Sequence, residues 1–179
     1  MSTTTKQIKD TIAAVNKLDL EWQKNPAGRD DPRSLPWMPF PWPDFIALLA
    51  EALPEAPGER FLDVGAGVGT KMLLADSIFG LNTQGIERVP EYVRQARELG
   101  LVITEADALT WDGYGDFDIV WLNRPFKDEK LQAELERQVQ AGMKSGAVFI
   151  GVNLVSAPSA GWWLVLDDME LHRGIWQKP

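Results

Sequence analysis

Three glycines on an alternating spacing, Gly65, Gly67 and Gly69, follow the run Phe61-Leu62-Asp63-Val64 and precede a helix-forming stretch. Glycine tolerates the positive φ of a tight bend and lets a ligand approach the backbone closely. The helix behind the bend offers unpaired N–H groups. A strand, a glycine bend and a helix together make a nucleotide-type site at the carboxyl end of a parallel strand. Asp63 stands just before the glycines, and Glu87 follows 24 residues later. An acidic residue about 20 residues past such a loop is the ribose-binding position of this architecture. Its two carboxylate oxygens accept from both vicinal hydroxyls. The other reading of Glu87 is a solvated surface charge. Asp107 follows a third strand-like segment. Three carboxylates around one crevice are costly without a cationic or donor-rich ligand.

Alternating strands and helices must position these groups. Apolar runs over residues 61–64, 83–87, 101–104, 118–122 and 147–154 read as strands. Helical periodicity covers 70–79, 90–99 and 128–141, with Gly80 and Gly100 as stops, and the loop 109–116 is too short for a full helix. This predicts an α/β fold: a doubly wound, mostly parallel Rossmann-like sheet with helices on both faces. Two last strands, 162–166 and 170–176, flank a turn at Asp167-Asp168-Met169. Only residues 156–161 separate the fifth strand from the sixth. A parallel crossover needs a dozen or more residues, so 162–166 is expected to turn back antiparallel to strand five and to form an antiparallel C-terminal strand pair.

Ahead of the sheet, Ile8, Ile12, Val15, Leu18 and Trp22 recur on one helical face. That helix either packs on the core edge or caps the site. Residues 25–43 carry turn signals and then a Pro-rich run, Leu35-Pro36-Trp37-Met38-Pro39-Phe40-Pro41-Trp42-Pro43. Proline removes donors and stiffens the chain, which excludes a central strand or helix. Trp37, Phe40 and Trp42 either close a pocket or anchor a strap to the sheet. Residues 44–53 read as a helix with Phe45, Leu48, Leu49 and Ala52 inward. The expected organisation is an N-terminal helical and Pro/Trp-rich cap segment, 1–57, and a ligand-binding domain, 58–179, folded as one compact unit.

The chain has 179 residues, enough for one domain with a real core, and 45% apolar and 25% charged residues, a globular balance. No run of 18 apolar residues predicts a membrane span, and the start Met-Ser-Thr-Thr-Thr-Lys lacks an apolar signal core. With no cysteine, the expectation is a cytoplasmic protein without disulfides. One histidine, His172, excludes a histidine-based zinc site, and its place in a terminal strand pair favours a structural role over that of a general base. A net charge of −8 without a Lys/Arg cluster disfavours nucleic acid as a partner and favours a cationic ligand.

The glycine spacing is Gly-x-Gly-x-Gly rather than the Gly-x-Gly-x-x-Gly of dinucleotide enzymes. Preceded by Asp63, it resembles the first motif of class I S-adenosylmethionine-dependent methyltransferases, and the resemblance runs in the family's motif order over residues 61–154. It implies S-adenosyl-L-methionine as cofactor and no metal. The contacts it implies are Asp63, Gly65, Ala66, Gly67, Gly69, Glu87, Arg88, Asp107, Ala108 and Asn123. The glycines would shape the methionine side, Glu87 would hold the ribose, and Asp107 would accept from the adenine amine. Asn123-Arg124-Pro125-Phe126 resembles the Asp/Asn-Pro-Pro-Tyr/Phe motif of methyltransferases acting on amino or amide nitrogens. There an Asn side chain and a backbone carbonyl accept from the target amine and the aromatic stacks on its plane, which implies catalytic roles for Asn123, Pro125 and Phe126. Arg124 replaces the family's first proline and is read as an anchor for an anionic group or as a surface ion pair. The function implied is methyl transfer to a small-molecule or protein acceptor, with nitrogen as a candidate target. The rival is a non-catalytic regulatory or interaction protein that binds the same cofactor. A nicotinamide-dependent oxidoreductase suits the fold but not the glycine spacing.

Overall fold

Strand β1 (Arg60–Val64) lies between β2 (Asn82–Glu87) and β4 (Ile119–Asn123), parallel to both. β3 (Ile103–Glu105) extends the sheet beyond β2, and β5 (Val148–Val152) extends it beyond β4, again in parallel. β7 (Arg173–Gln177) pairs antiparallel with β5, and β6 (Trp163–Asp168) closes that edge antiparallel to β7. The order is therefore β3-β2-β1-β4-β5-β7-β6. The structure is a computed structural model, and it describes residues 5–25, 33–35, 38–158, 160–168 and 172–179.

Strands β1, β4 and β5 are near-continuous apolar runs because both faces of the sheet are covered. On one face Phe61, Ile119, Trp121, Val148 and Ile150 meet Phe45, Leu48 and Leu49 of α2 (Trp42–Ala52) and Leu74 and Ala75 of α3 (Thr70–Phe79). On the other, Leu62, Val64, Val120, Leu122 and Phe149 meet Leu135 and Val139 of α5 (Glu129–Gly142). α4 (Pro90–Glu98) packs Val93 and Ala96 against Ile103. α1 (Thr5–Lys24) lies along α3, burying Val15 and packing Leu18 and Trp22 against Val68, Val89 and Tyr92. No described helix is long and apolar enough to cross a membrane.

Element ends follow local chemistry. α3 starts after Gly69 at φ 81° and stops at Gly80 at φ 71°, which matches the expected 70–79. α2 begins two residues early, at Trp42, because Pro41 and Pro43 suit a first turn. β5 ends at Val152, short of the expected 154, because Asn153 turns left-handed at φ 54°. The loop 109–116 contains a single 3-10 turn, Gly113–Asp116.

One topological expectation is overturned. β6 is not beside β5: β7 lies between them, antiparallel to each, so β6 runs in the same direction as β5. The antiparallel C-terminal pair exists as β6 with β7, but the strand antiparallel to β5 is Arg173–Gln177, not 162–166. The length rule failed because it presumes a helical crossover. An extended chain reaches about 3.3 Å per residue, so the segment 153–162 spans roughly 33 Å. Returning down one strand and across two strand spacings needs only about 17 Å and 10 Å. The crossing lies over the α5 face, where Trp162 packs on Phe149 with ring centroids 6.3 Å apart. Glu136 of α5 pins its start, accepting from Val155 N at 3.0 Å, Ser156 N at 3.0 Å and Ser156 Oγ at 2.9 Å.

Candidate functional site

The bend after β1 holds Gly65, Gly67 and Gly69 at φ 75°, 55° and 81°. A side chain at any of the three would be strained. A Cβ on Gly65 would press on Pro125 Cβ at 3.2 Å, and one on Gly69 would overlap the Leu101 side chain. The bend thus packs against the loop after β4 and forms the floor of a cavity at the carboxyl ends of β1, β2 and β4.

Glu87 fixes that floor. Its Oε2 accepts from Gly67 N at 2.8 Å, and its Oε1 accepts from Arg88 N at 2.7 Å and Val89 N at 2.8 Å. The side chain is 8% exposed. Burial raises its carboxyl above the usual range, while the three backbone donors and Arg88 oppose that rise. A carboxylate offers about four lone-pair sites, so the three backbone donors leave roughly one for a further donor. The residue braces the loop.

Asp63, next to last in β1, lies on the cavity wall and is 3% exposed. Burial pushes its carboxyl up to about 7; the Lys71 ammonium opposes the shift and the Glu87 carboxylate adds to it. Lys71, in the first turn of α3, also lines the cavity and is 7% exposed. Its Nζ donates to Thr70 Oγ1 at 3.4 Å. Burial lowers its pKa, and the charges of Asp19 and Asp63 hold it up. Asp19 reaches this cluster from α1, so α1 both packs on the core edge and supplies a charge behind the cavity. Burial raises the Asp19 carboxyl, opposed by Lys71 and the Thr70 hydroxyl. Asp19 Oδ1 and Trp22 Nε1 are buried without a hydrogen-bond partner among the described residues.

At the other end, Ala106 and Ala108 line the cavity, but the carboxylate of Asp107 is engaged elsewhere. Its Oδ2 pairs with Arg33 Nη1 at 3.0 Å and its Oδ1 accepts from Leu109 N at 3.1 Å. The fourth strand delivers Asn123, Arg124, Pro125 and Phe126 to the rim. Asn123 Oδ1 accepts from Asn153 Nδ2 at 3.0 Å. Pro125 O accepts from Leu35 N at 2.8 Å, and Ser34 bridges antiparallel to Phe126, stitching the strap to this loop. The Phe126 ring is a cavity wall rooted in the α5-side core, not a free stacking face. Arg124 Nη2 stands 3.7 Å from Glu129 Oε1.

The structure therefore gathers Asp63, Gly65, Ala66, Gly67, Glu87, Arg88, Ala108, Asn123, Pro125 and Phe126 around one cavity. Gly69 shapes the bend from behind, and Asp107 stands beside the lining. Of the strap aromatics, Phe40 lines the cavity and packs edge-on against Trp121 at 5.2 Å, Trp42 starts α2 and joins the core, and Trp37 lies outside the described residues. His172 turns the last hairpin at φ 50°, with its carbonyl accepting from Asn153 N at 2.7 Å. Residues not singled out from the sequence also contribute: Lys71, Tyr92, Ser34, Leu35 and Met38 line the cavity, and Asn153 orients Asn123. A buried relay runs from Phe126 N to Gln132 Oε1 at 3.3 Å and from Gln132 Nε2 to Glu136 Oε1 at 2.8 Å. Lys71 stands two residues past the last glycine, but no local pattern marks any of these residues as part of the site.

The strand order, the antiparallel β7 and the glycine bend beside Glu87 define the Rossmann-like fold of class I S-adenosylmethionine-dependent methyltransferases, and this chain has that fold. Solved structures agree. An RNA methyltransferase from Salinibacter ruber, in complex with S-adenosyl-L-homocysteine, superposes with a TM-score of 0.60 at 18% identity, covering 79% of this chain and 92% of its own. N-methyltransferase NodS from Bradyrhizobium japonicum WM9 gives a TM-score of 0.54 at 10% identity, over 76% and 95% of the two chains. At these identities the likeness establishes the fold. Among curated proteins, 2-methyl-6-phytyl-1,4-hydroquinone methyltransferase of Synechocystis sp. (strain ATCC 27184 / PCC 6803 / Kazusa) is 26% identical over an alignment of 148 residues that covers 76% of this chain. The match spans 43% of that relative's length. No protein-family model matches the chain.

Proposed function

We propose that this chain is an S-adenosylmethionine-dependent methyltransferase acting on a small-molecule or protein acceptor, with nitrogen as the acceptor atom. The observation that carries the reading is the brace between Glu87 and Gly67 beside the buried Asp63. A glycine bend already held in its ligand-ready shape lowers the ordering cost of binding. Two carboxylates sunk in the same wall favour a ligand with cationic and donor groups. S-adenosylmethionine supplies these, together with an electrophilic methyl group on a sulfonium. The curated relative, itself a methyltransferase, supports the activity.

The chain's part is alignment, since the methyl donor is already reactive. Asn123 Oδ1 keeps one lone pair after accepting from Asn153, which suits it to receive an amine N–H and aim the nitrogen lone pair at the methyl group. The Phe126 and Pro125 walls exclude water from that end. The net charge of −8 favours a small or protein acceptor over nucleic acid. Residues 1–57 serve as a cap segment over the unit of 58–179, and the cytoplasm is the compartment consistent with a chain free of cysteine. The test is release of S-adenosylhomocysteine when the full chain is incubated with cofactor and a panel of primary amines, amides and oxygen nucleophiles. Turnover confined to the amines and amides supports the reading; turnover only at oxygen or carbon refutes its acceptor atom.

A further inference from the structure

Arg124 follows Asn123 directly, and both residues line the cavity. The Arg124 side chain is 27% exposed, yet its polar contacts among the described residues are both long. Nε reaches Phe126 O at 3.5 Å, and Nη2 stands 3.7 Å from Glu129 Oε1. A guanidinium carries five N–H donors in a fixed fork. Most of that fork, Nη1 included, therefore has no protein acceptor among the described residues. Glu129 is 77% exposed, and a pair at this distance with a solvated carboxylate contributes little. It is a resting contact that an incoming anion can displace.

The loop around Arg124 is cationic. Residues 123–127 carry Arg124 and the exposed Lys127 and no acidic side chain, in a chain with a net charge of −8. Asp128, next along, is turned to the start of α5, where its Oδ1 accepts from Lys130 N and Leu131 N, each at 2.9 Å. At the cavity floor, by contrast, Asp63 and Glu87 set two carboxylates near the buried Lys71. An arginine fork matches the paired oxygens of a carboxylate, phosphonate or phosphate.

Resting on the cofactor and nitrogen-acceptor readings above, we propose that Arg124 binds an anionic group of the methyl acceptor, and that this acceptor is a small aminoalkyl acid. Its amine goes to Asn123 and its anion to Arg124. Consecutive Cα atoms are only about 3.8 Å apart, which favours an amine and an acid separated by few bonds. A lysine side chain of a protein offers no anion at that spacing. The uncharged amine nitrogen forms the N–CH3 bond with its lone pair while the S–CH3 bond breaks and leaves its electron pair on sulfur. The methylated ammonium then gives one proton to solvent. Arg124 is a binding residue for the acid and takes no part in the bond changes.

The test uses the full chain with glycine, β-alanine and aminomethylphosphonate, each beside a neutral counterpart: glycinamide, β-alaninamide and the phosphonate diethyl ester. Turnover is read as S-adenosylhomocysteine release at equal concentrations of unprotonated amine. Binding is read by calorimetry on protein saturated with S-adenosylhomocysteine. At least one acid is expected to exceed its neutral counterpart about tenfold or more in kcat/KM and in affinity. The carboxylate and phosphonate arms show which anion the fork takes. Arg124→Gln is expected to lower both values for that acid roughly 10- to 100-fold, the range for hydrogen bonds to a charged group, and to leave the neutral counterpart unchanged. An acid unaffected by Arg124→Gln, or an equal loss for acid and neutral amine, overturns the proposal. So does wild-type protein that binds S-adenosylhomocysteine and neither binds nor methylates any of the acids. Binding of S-adenosylhomocysteine by Arg124→Gln is the folding control. If the variant loses it, the wild-type comparison decides: a tenfold margin for an acid supports the assignment and equal treatment overturns it. Failure of the underlying readings looks different. Wild-type protein that does not bind S-adenosylhomocysteine sinks the cofactor reading, and turnover confined to oxygen or carbon acceptors sinks the nitrogen reading; either result takes the proposal with it.

Discussion

Glu87 at the end of β2 holds the backbone N–H of Gly67 at 2.8 Å, across the boundary between two parallel strands. The same carboxylate takes the N–H groups of Arg88 and Val89. The cavity floor and the start of α4 therefore depend on one side chain.

Glu87→Gln keeps the size and removes the charge and one acceptor atom. At least one of the three backbone donors then faces an amide NH2. The expected cost is about 1–3 kcal/mol of stability, the penalty for a buried donor left unsatisfied. For a chain of this length that is roughly 3–10 °C in Tm. Thermal melts and cofactor titration should move together, with S-adenosylhomocysteine weakened tenfold or more. A melt and an affinity both equal to wild type would contradict the brace.

Asp63 predicts a proton linkage. Its folded-state carboxyl titrates at about 7, above the ordinary carboxylate value of 3.8. A raised carboxyl means the fold binds the proton more tightly than the unfolded chain does. This group therefore favours folding most below the unfolded value, and stability declines as pH rises through about 7. A cationic ligand reverses the preference, because it favours the carboxylate. Binding near pH 7 should release a proton, and affinity should rise from about pH 6 to pH 8. Titrations in two buffers of different ionisation enthalpy measure the release, and Asp63→Asn should abolish it. Identical heats in both buffers for the wild-type protein would contradict the linkage.

Asn153 tests the acceptor end. Its side chain donates to Asn123 Oδ1 at 3.0 Å, and its backbone sits at φ 54°. Asn153→Gly keeps a backbone that glycine adopts freely and removes the donor. Turnover is expected to fall about tenfold, near 1.4 kcal/mol in the barrier, with cofactor affinity unchanged. A loss of cofactor affinity equal to the loss of turnover would place Asn153 in cofactor binding instead.

Glu136 is a structural counterpart. It is fully buried and accepts from Gln132, Val155 and Ser156, tying the loop after β4 to the crossing after β5. Glu136→Ala leaves several buried donors unpaired. The expected loss is about 3 kcal/mol, or roughly 6–12 °C in Tm. A shift under 2 °C would show that water replaces the carboxylate.

Local signals were enough for the sheet and the glycine bend. Apolar runs, helix periodicity and the stops at Gly80 and Gly100 place β1 to β5 and their helices to within a few residues. Glu87 was legible because strand ends in this architecture converge on one crevice. The misreading of β6 has a simple source: nothing in residues 153–162 says that a later strand, β7, slips between β5 and β6. Lys71 and Asn153 were invisible for a related reason. Each becomes meaningful through a partner far along the chain, Asp19 for the first and Asn123 for the second, and pairing at that separation leaves no local pattern. Asp107 shows the converse. Its position was read correctly as following β3, but Arg33, over seventy positions upstream, takes its carboxylate.

The central claim is that this cavity is built for an S-adenosylmethionine-type cofactor. Calorimetric titration of the folded, full chain with S-adenosylhomocysteine tests it most directly. Saturable binding at one ligand per chain, weakened tenfold or more by Glu87→Gln, is the predicted result. A folded wild-type protein that takes up no heat-detectable ligand at millimolar concentration would contradict it.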